Sequence, residues 1–336
     1  MKILFPASNW ASNIGNPFFT LGAEFVMKSA IQGCDIVHGA SNPILPLKLK
    51  GTTERNAFNY SEHTGDVDAV MFAGPMFDMN FRKLFAPAFK QAREAGQKIF
   101  LVSAGGINYN PAEAEHCRSV LEEFKPDLLW TRDSETYDML GAYVKNAHSG
   151  VCGAWFTPDY YPGYDTPSLG NYFCSAFDFR PEPAMSVLER ALHGDAQLPG
   201  DGIDNAKKTA RIRRVLQRGL PSELGGNTII RPTHRPANHP ITNFTNPNTF
   251  AAYTPYGYLN LYRNARFTIT DRLHASVVTM AYGNPAYLYL RSKRGYLLKS
   301  AGIEYDHGKR LTVDPTYLAE RKASVVRFIS ETIATI

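Results

Sequence analysis

The segment Thr270-Asp271-Arg272-Leu273-His274-Ala275-Ser276 carries the clearest chemical pattern in the chain. A strand leads into it and a helix leads out. Thr270 or Asp271 is placed to cap the helix, and Arg272 and His274 fall in its first turn. Positive charge sits at the wrong end of a helix there, since the dipole disfavours a cation by about 0.3–1 kcal/mol. A sequence serving helix stability alone would carry Asp or Glu instead. The same helix end, with its free N–H groups, binds anions. Arg272, His274 and those groups together form a socket for a phosphate or a carboxylate. Spacing alone leaves a second reading open, with Arg272 paired to a carboxylate and His274 a satisfied half-buried histidine.

Other candidates lie on the same kind of rim, after a strand and before a helix. Gly283-Asn284-Pro285 leads to a strand that is followed by Arg291-Ser292-Lys293-Arg294-Gly295. Lys293 could reach the same anion, or the run could be a solvated basic turn. In Thr131-Arg132-Asp133-Ser134, Asp133 or Ser134 can cap the next helix, and Arg132 is either a ligand cation or the partner of Asp133. The polar loop Ser12-Asn13-Ile14-Gly15-Asn16-Pro17 enters a helix, and Gly15 lets backbone approach a ligand. Gly74 and Gly105 mark similar loops. None of these is a Walker A or GxGxxG motif, so no specific nucleotide site is read from them. His234 and His239 follow another strand. Their spacing and the lack of an adjacent acidic ligand predict no metal, while His234 could face a ligand. There is no GxSxG, and no cysteine carries a nucleophile motif.

The elements that must position these residues alternate. Strands are predicted at Lys2–Phe5, Asp35–His38, Val67–Ala73, Lys98–Val102 and Asp127–Thr131. Helices are predicted at Pro17–Gln32, capped by Asn16, and at Phe81–Glu94, Pro111–Phe124 and Ser134–Val144. Gly74-Pro75 reads as a turn. A Pro-, Gly- and Tyr-rich stretch over Thr157–Asn171 reads as a linker. Beyond it come strands Tyr172–Phe177, Thr228–Arg231, Arg266–Thr270 and Ala286–Leu290. Helices are expected at Ala184–Leu192, Ile203–Gln217, Thr249–Arg263 and Arg272–Tyr282, with an amphipathic helix from Pro315 to Ile336. Such alternation means βαβ units and parallel sheets, whose ligands bind beyond the carboxyl ends of the strands. The expected domains are 1–165, 166–320 and a terminal helix, 321–336, packing back on the first domain.

Bulk properties narrow the class. The 336 residues are 44% hydrophobic and 20% charged, with a net charge of +5, which suits about two globular domains. Lys and Arg are spread along the chain. The run from Lys207 to Arg218 reads as a solvated basic helix face, so no nucleic-acid partner is expected. Cys34, Cys117, Cys152 and Cys174 form no CxxC pair and suit reduced thiols in a cytoplasm. MKILFP is too short an apolar start for a signal peptide. No stretch approaches the roughly 20 apolar residues of a membrane span. The expected place is therefore the cytoplasm, at most at a membrane's periphery.

Together these residues resemble the polysaccharide pyruvyl transferase family. The likeness is clearest in Thr270-Asp-Arg-Leu-His-Ala-Ser, in Ala281-Tyr-Gly-Asn-Pro and in Tyr289 to Lys293. It extends to Asn13-Ile-Gly-Asn16, Trp130-Thr-Arg-Asp133 and Thr157-Pro-Asp159. The sequence departs at Asn16, where the family commonly has Asp, and over Pro181–Gly225, which holds no family motif. The resemblance implies an α/β fold of two Rossmann-like domains facing a cleft, like the GT-B glycosyltransferases. It implies transfer of the enolpyruvyl group of phosphoenolpyruvate to a sugar of a glycan or lipid-linked saccharide, giving a pyruvate ketal with no further cofactor. Arg272, Lys293 and Arg132 would hold the donor anion, and His274 with Arg272 would be catalytic. Asn13, Gly15, Asn16, Gly74, Gly105 and His234 would line the ligand loops. The competing expectations are a GT-B glycosyltransferase using a nucleotide sugar and a binding subunit that has lost catalysis.

Overall fold

The computed structural model describes residues 1–6, 13–39, 65–195, 220–235 and 246–336. The first half alternates β1 (Lys2–Pro6), α1 (Gly15–Ala30), β2 (Asp35–Gly39), β3 (Ala69–Phe77), α2 (Phe81–Glu94), β4 (Lys98–Gly106), α3 (Pro111–Phe124), β5 (Leu128–Thr131), α4 (Ser134–Leu140) and β6 (Ala147–Ser149). Its six strands form one sheet in the order β2-β1-β3-β4-β5-β6, with every pair parallel.

After the short helix α5 (Thr157–Tyr160), the second half runs β7 (Tyr172–Ala176), α6 (Met185–Leu192), β8 (Glu223–Leu224), β9 (Asn227–Pro232), β10 (Thr249–Phe250), α7 (Tyr256–Asn264), β11 (Thr268–Thr270), α8 (Leu273–Ala281), β12 (Ala286–Leu288), α9 (Tyr296–Lys299) and β13 (Arg310–Leu311). These strands make a second sheet, ordered β10-β9-β7-β11-β12-β13, with β8 beside β9. Among the described residues only the β12–β13 and β8–β9 pairs are antiparallel. The last helix, α10 (Pro315–Ile333), crosses back to the first sheet, where Arg321 donates to the Ser149 carbonyl at 2.7 Å.

Alternating strand residues divide the core into three layers. Leu4, Val70, Ile99 and Leu101 face an outer layer with α2 and α3, while Phe173, Ile229, Ile269 and Tyr287 face one on the far side of the second sheet. Their neighbours Ile3, Met71, Phe100, Tyr172, Cys174 and Leu288 point inward to one continuous cluster shared by both sheets. Helix α1 lies in that shared layer. It approaches the turn at Gly153–Phe156 so closely that a Cβ on Gly22 would fall 1.8 Å from the Gly153 carbonyl oxygen. No helix among the described residues is long and apolar enough to cross a membrane.

Several predicted elements are corrected. Gly74-Pro75 is not a turn: β3 continues through it to Phe77, with Gly74 at φ 103° and register shifts on either side. β4 likewise runs on through Gly105 and Gly106. Helix α1 starts at Gly15 with Ile14 at its cap, two residues before the predicted Pro17, so Asn16 is not the cap. The predicted helix 249–263 is split. Thr249 and Phe250 join β9 as an edge strand, and the helix begins only after Pro255, whose ring cannot stand in a helix interior. The basic helix predicted at 203–217 and His239 lie outside the described residues.

Candidate active site

Each sheet has one point where the strand order reverses, and ligands of such sheets bind in the crevice outside it. In the first sheet it lies between β1 and β3, where Asn13 and the start of α1 follow β1. In the second it lies between β7 and β11, whose ends lead to Asp178 and Arg272. The two crevices meet. Arg272 Nη2 donates to Asn13 Oδ1 at 2.6 Å, and the Ile14 N–H donates to the His234 carbonyl at 2.9 Å.

Arg272 is itself the cap residue of α8, extended at φ −106°, and no side chain among the described residues caps that helix. Asp271 does not cap it as predicted. Its carboxylate turns back and accepts the backbone N–H groups of Asp178, Phe179 and Arg180 at 2.8 to 3.1 Å. Burial, followed by the Asp178 charge, pushes the Asp271 pKa up to about 6. Thr270 spends its hydroxyl on the Ala176 carbonyl and accepts the Arg272 N–H. The Arg272 guanidinium is fixed on three sides. Nε lies 3.5 Å from Asp178, Cζ lies 4.5 Å from the Phe179 ring centre, and Nη2 reaches Asn13. Its Nη1 is buried with no hydrogen-bond partner among the described residues.

His274 is the second residue of α8 and is buried. Its ring centre lies 5.3 Å from that of Phe19, and its Nε2 is 3.8 Å from Cys152 Sγ. A Cβ on Gly15 would meet His274 Nδ1 at 3.1 Å, so the glycine gives α1 its close approach to the imidazole. Burial first, then the charges of Arg294, Arg132 and Arg272, pull the His274 pKa well below its ordinary value. The imidazole is therefore neutral with no anion bound. Burial raises the pKa of Cys152, which stays a thiol beside it.

Arg132 enters from the first sheet, wholly buried. Nη2 donates to the Gly106 carbonyl at 2.7 Å, and Nε stands 3.4 Å from Asp133. Asp133 is occupied elsewhere, capping α4 through Thr136 N–H at 2.7 Å and accepting from the Tyr109 hydroxyl at 2.7 Å. Arg132 Nη1 remains without a partner among the described residues. Gly105 is not an open ligand loop but the seat of this side chain, since a Cβ there would lie 2.0 Å from Arg132 Nε. Gly74 is also filled, by Phe19, whose ring would lie 2.4 Å from an added Cβ.

The remaining candidates divide. Asn16 accepts from the Asn13 amide at 3.0 Å and so steadies the residue that holds Arg272. His234 is fully buried. Its Nε2 is 2.5 Å from the Tyr262 hydroxyl, and its Nδ1 has no partner among the described residues. Lys293 is exposed at the rim, where Nζ donates to the Tyr109 carbonyl at 3.1 Å. Its neighbour Arg294, which sequence reasoning passed over, is half-buried, with its Nε buried and without a hydrogen-bond partner among the described residues. Lys293–Gly295 is a tight helical turn that sends adjacent side chains in different directions. The sequence signal was only one more cation in a basic run. Cys152 was missed as well, because an isolated cysteine has no local pattern.

The polysaccharide pyruvyl transferase family model matches residues 34–293. No curated protein matches the chain. Among solved structures, S. aureus MnaA with UDP aligns over 98% of this chain and 91% of its own, at 13% identity and a TM-score of 0.52. A Listeria monocytogenes protein assigned as a UDP-N-acetylglucosamine 2-epimerase aligns over 100% of this chain and 90% of its own, at 12% identity and a TM-score of 0.50. At such identities the likeness shows the fold alone, two Rossmann-like halves of GT-B type.

Proposed function

The chain belongs to the polysaccharide pyruvyl transferase family, and from that premise we propose that it moves the enolpyruvyl group of phosphoenolpyruvate onto a sugar as a pyruvate ketal. One observation carries the reading. Arg132 and Arg272, one from each half, each bring a buried guanidinium nitrogen without a partner among the described residues to the surroundings of a buried, neutral histidine. Buried donors of this kind call for a partner, which a bound anion can supply. Guanidinium forks match phosphate and carboxylate, and the donor carries both.

In this reading residues 1–165 form the acceptor side and 166–320 the donor side. Arg272, Arg132 and Lys293 hold the donor, and His274 moves the proton. The bound anion raises the His274 pKa, so the imidazole takes up a proton as the donor binds. His274 then gives that proton to the donor's methylene carbon, which becomes the methyl group. The neighbouring carbon turns electrophilic, one sugar hydroxyl adds to it and phosphate leaves. A second hydroxyl of the same sugar closes the ketal. One hydroxyl proton restores the imidazole and the other leaves with phosphate, so neither oxidant nor further cofactor is needed. The acceptor is a glycan or a lipid-linked saccharide, and the latter would bring the enzyme to a membrane surface.

The test pairs thermal shift with a ketal-formation assay on glycoside acceptors. Phosphoenolpyruvate at about 100 times its Kd should stabilise the protein by about 2.7 kcal/mol, while nucleotide sugars leave it unmoved. Consumption of a nucleotide sugar without ketal formation would transfer the assignment to a glycosyltransferase.

A further inference from the structure

We propose that the Cys152 thiol is a positioning residue for His274, engaging Nε2 and so leaving Nδ1 as the nitrogen that exchanges a proton with the ligand. The inference rests on the reading above and says which atom does its proton chemistry. Cys152 Sγ lies 3.8 Å from His274 Nε2, and both side chains are buried. The two nitrogens of an imidazole point apart. Nδ1 is so near Gly15 that an added Cβ would meet it at 3.1 Å, and Asn13 Oδ1 would lie 3.3 Å from the same Cβ. Asn13 also accepts from Arg272. Nδ1 therefore turns to the corner where the two crevices meet, and Nε2 turns to the thiol.

The thiol is held from two sides. Gly153, next in the chain, packs against α1 so tightly that a Cβ on it would fall 2.5 Å from the Phe19 carbonyl oxygen. Phe19 in turn sets its ring 5.3 Å from that of His274. From β4, the Ser103 hydroxyl accepts the Gly153 N–H at 2.8 Å and donates to Cys152 Sγ at 3.9 Å. Ser103 is wholly buried and stands at φ 48°, the left-handed region that a serine enters under strain. Such strain persists only where the surroundings fix it, and here it aims the hydroxyl at the Cys152–Gly153 corner. A thiol suits the place. It donates and accepts weakly, so it holds Nε2 whether the ring is neutral or charged. Burial raises its pKa and keeps it protonated. A carboxylate there would hold the imidazolium permanently, whereas a neutral partner lets the ligand set the charge. In the charged ring the Nδ1–H bond breaks as the new C–H bond forms on the donor's methylene carbon. Nε2–H stays on Sγ, and Nδ1 is free to take a proton from the sugar hydroxyl.

The experiment compares wild type with Cys152→Ala and Cys152→Ser. Steady-state kinetics with phosphoenolpyruvate separate kcat from KM, and denaturant midpoints report stability. Nitrogen NMR of protein isotope-labelled at histidine reports the tautomer of His274, whose signals are those lost in His274→Gln. Cys152→Ala should lower kcat about 10- to 100-fold and leave KM within a few-fold. Its two His274 nitrogen signals, well separated in ligand-free wild type, should move toward each other as the tautomers mix. Cys152→Ser keeps a donor and an acceptor, so it should bring kcat back to within about 10-fold of wild type and restore the single tautomer. An unmoved tautomer in Cys152→Ala would overturn the proposal, as would a lower midpoint with kcat intact, which makes Cys152 a packing residue. A tautomer that depends on Cys152 in a protein that forms no ketal would keep the pairing and reject the reaction proposed above. Should Cys152→Ala fail to fold, Ser103→Gly decides, since it relieves the strained backbone while removing the hydroxyl that anchors the thiol. It should lower kcat about 10-fold and mix the tautomers, and wild-type values of both would overturn the proposal.

Discussion

Arg272 donates to Asn13 across 259 residues of chain, at 2.6 Å, and this bond joins the two crevices into one site. A neutral acceptor fixes the guanidinium without cancelling its charge, which is what an anion socket requires. Asn13→Ala should loosen Arg272 and raise the donor KM about 10-fold, within the worth of one charge-assisted hydrogen bond. Asn13→Asp should raise the melting temperature by adding a partner, yet weaken the donor further by neutralising the socket. Stability and affinity moving in the same direction in the Asp variant would refute this account.

Gly105→Ala tests the seat of Arg132. The added Cβ would lie 2.0 Å from Nε and 2.7 Å from Cδ, and the wholly buried side chain has nowhere to retreat. The expected cost is about 1–3 kcal/mol in stability. Donor affinity should fall at least about 10-fold as Nη1 leaves its place. Denaturant midpoints and donor titration together decide it, and normal donor binding would detach Arg132 from the socket.

His274 should reveal itself through pH. Burial holds both His274 and His234 neutral in the fold, with Arg charges adding to the effect. The unfolded chain lets them titrate near 6.5. Below that value the unfolded state binds more protons, so stability is complete above about pH 6.5 and is lost as pH falls toward the folded pKa values. The slope is up to about 1.4 kcal/mol per pH unit for each histidine. Urea midpoints between about pH 7 and 5.5 should therefore decline, and His274→Gln should flatten part of that decline.

The same variant separates binding from chemistry. His274→Gln should lower kcat by about 10²–10⁴ and leave donor affinity within a few-fold. Calorimetry in buffers of different ionisation enthalpy should register proton uptake on donor binding in wild type and none in the variant. Wild-type turnover by His274→Gln would make the residue a structural histidine.

Gly22→Ala probes the layer that the two sheets share. Its Cβ would meet a backbone oxygen, Gly153 O, at 1.8 Å, so α1 itself must shift. Destabilisation of roughly 3 kcal/mol or more is expected. Activity should also fall, since α1 begins at the Asn13–Gly15 corner. A soluble variant with wild-type midpoint and kinetics would show that α1 can slide freely.

Local chemistry made much of this protein readable in its sequence. Apolar spacing near Phe81 and the capping residues before Pro111 and Ser134 depend only on neighbours a few positions away, and those helices begin where their residues predict. Alternation of strand and helix sufficed for the parallel sheets, and the strand-to-helix junctions pointed to Arg132, Arg272 and His274. Only the tertiary structure could decide which cations turn inward. Lys293 and Arg294 are adjacent and alike in charge, yet Lys293 stands exposed on the Tyr109 carbonyl while the Arg294 Nε is buried. It also decided that Gly74 and Gly105 receive Phe19 and Arg132 rather than a ligand, and that Asp271 holds a distant loop instead of capping its own helix. Charge state followed the same rule. Desolvation depends on everything packed around a group, and the residues that bury His274, Phe19 and Cys152 among them, come from distant parts of the chain.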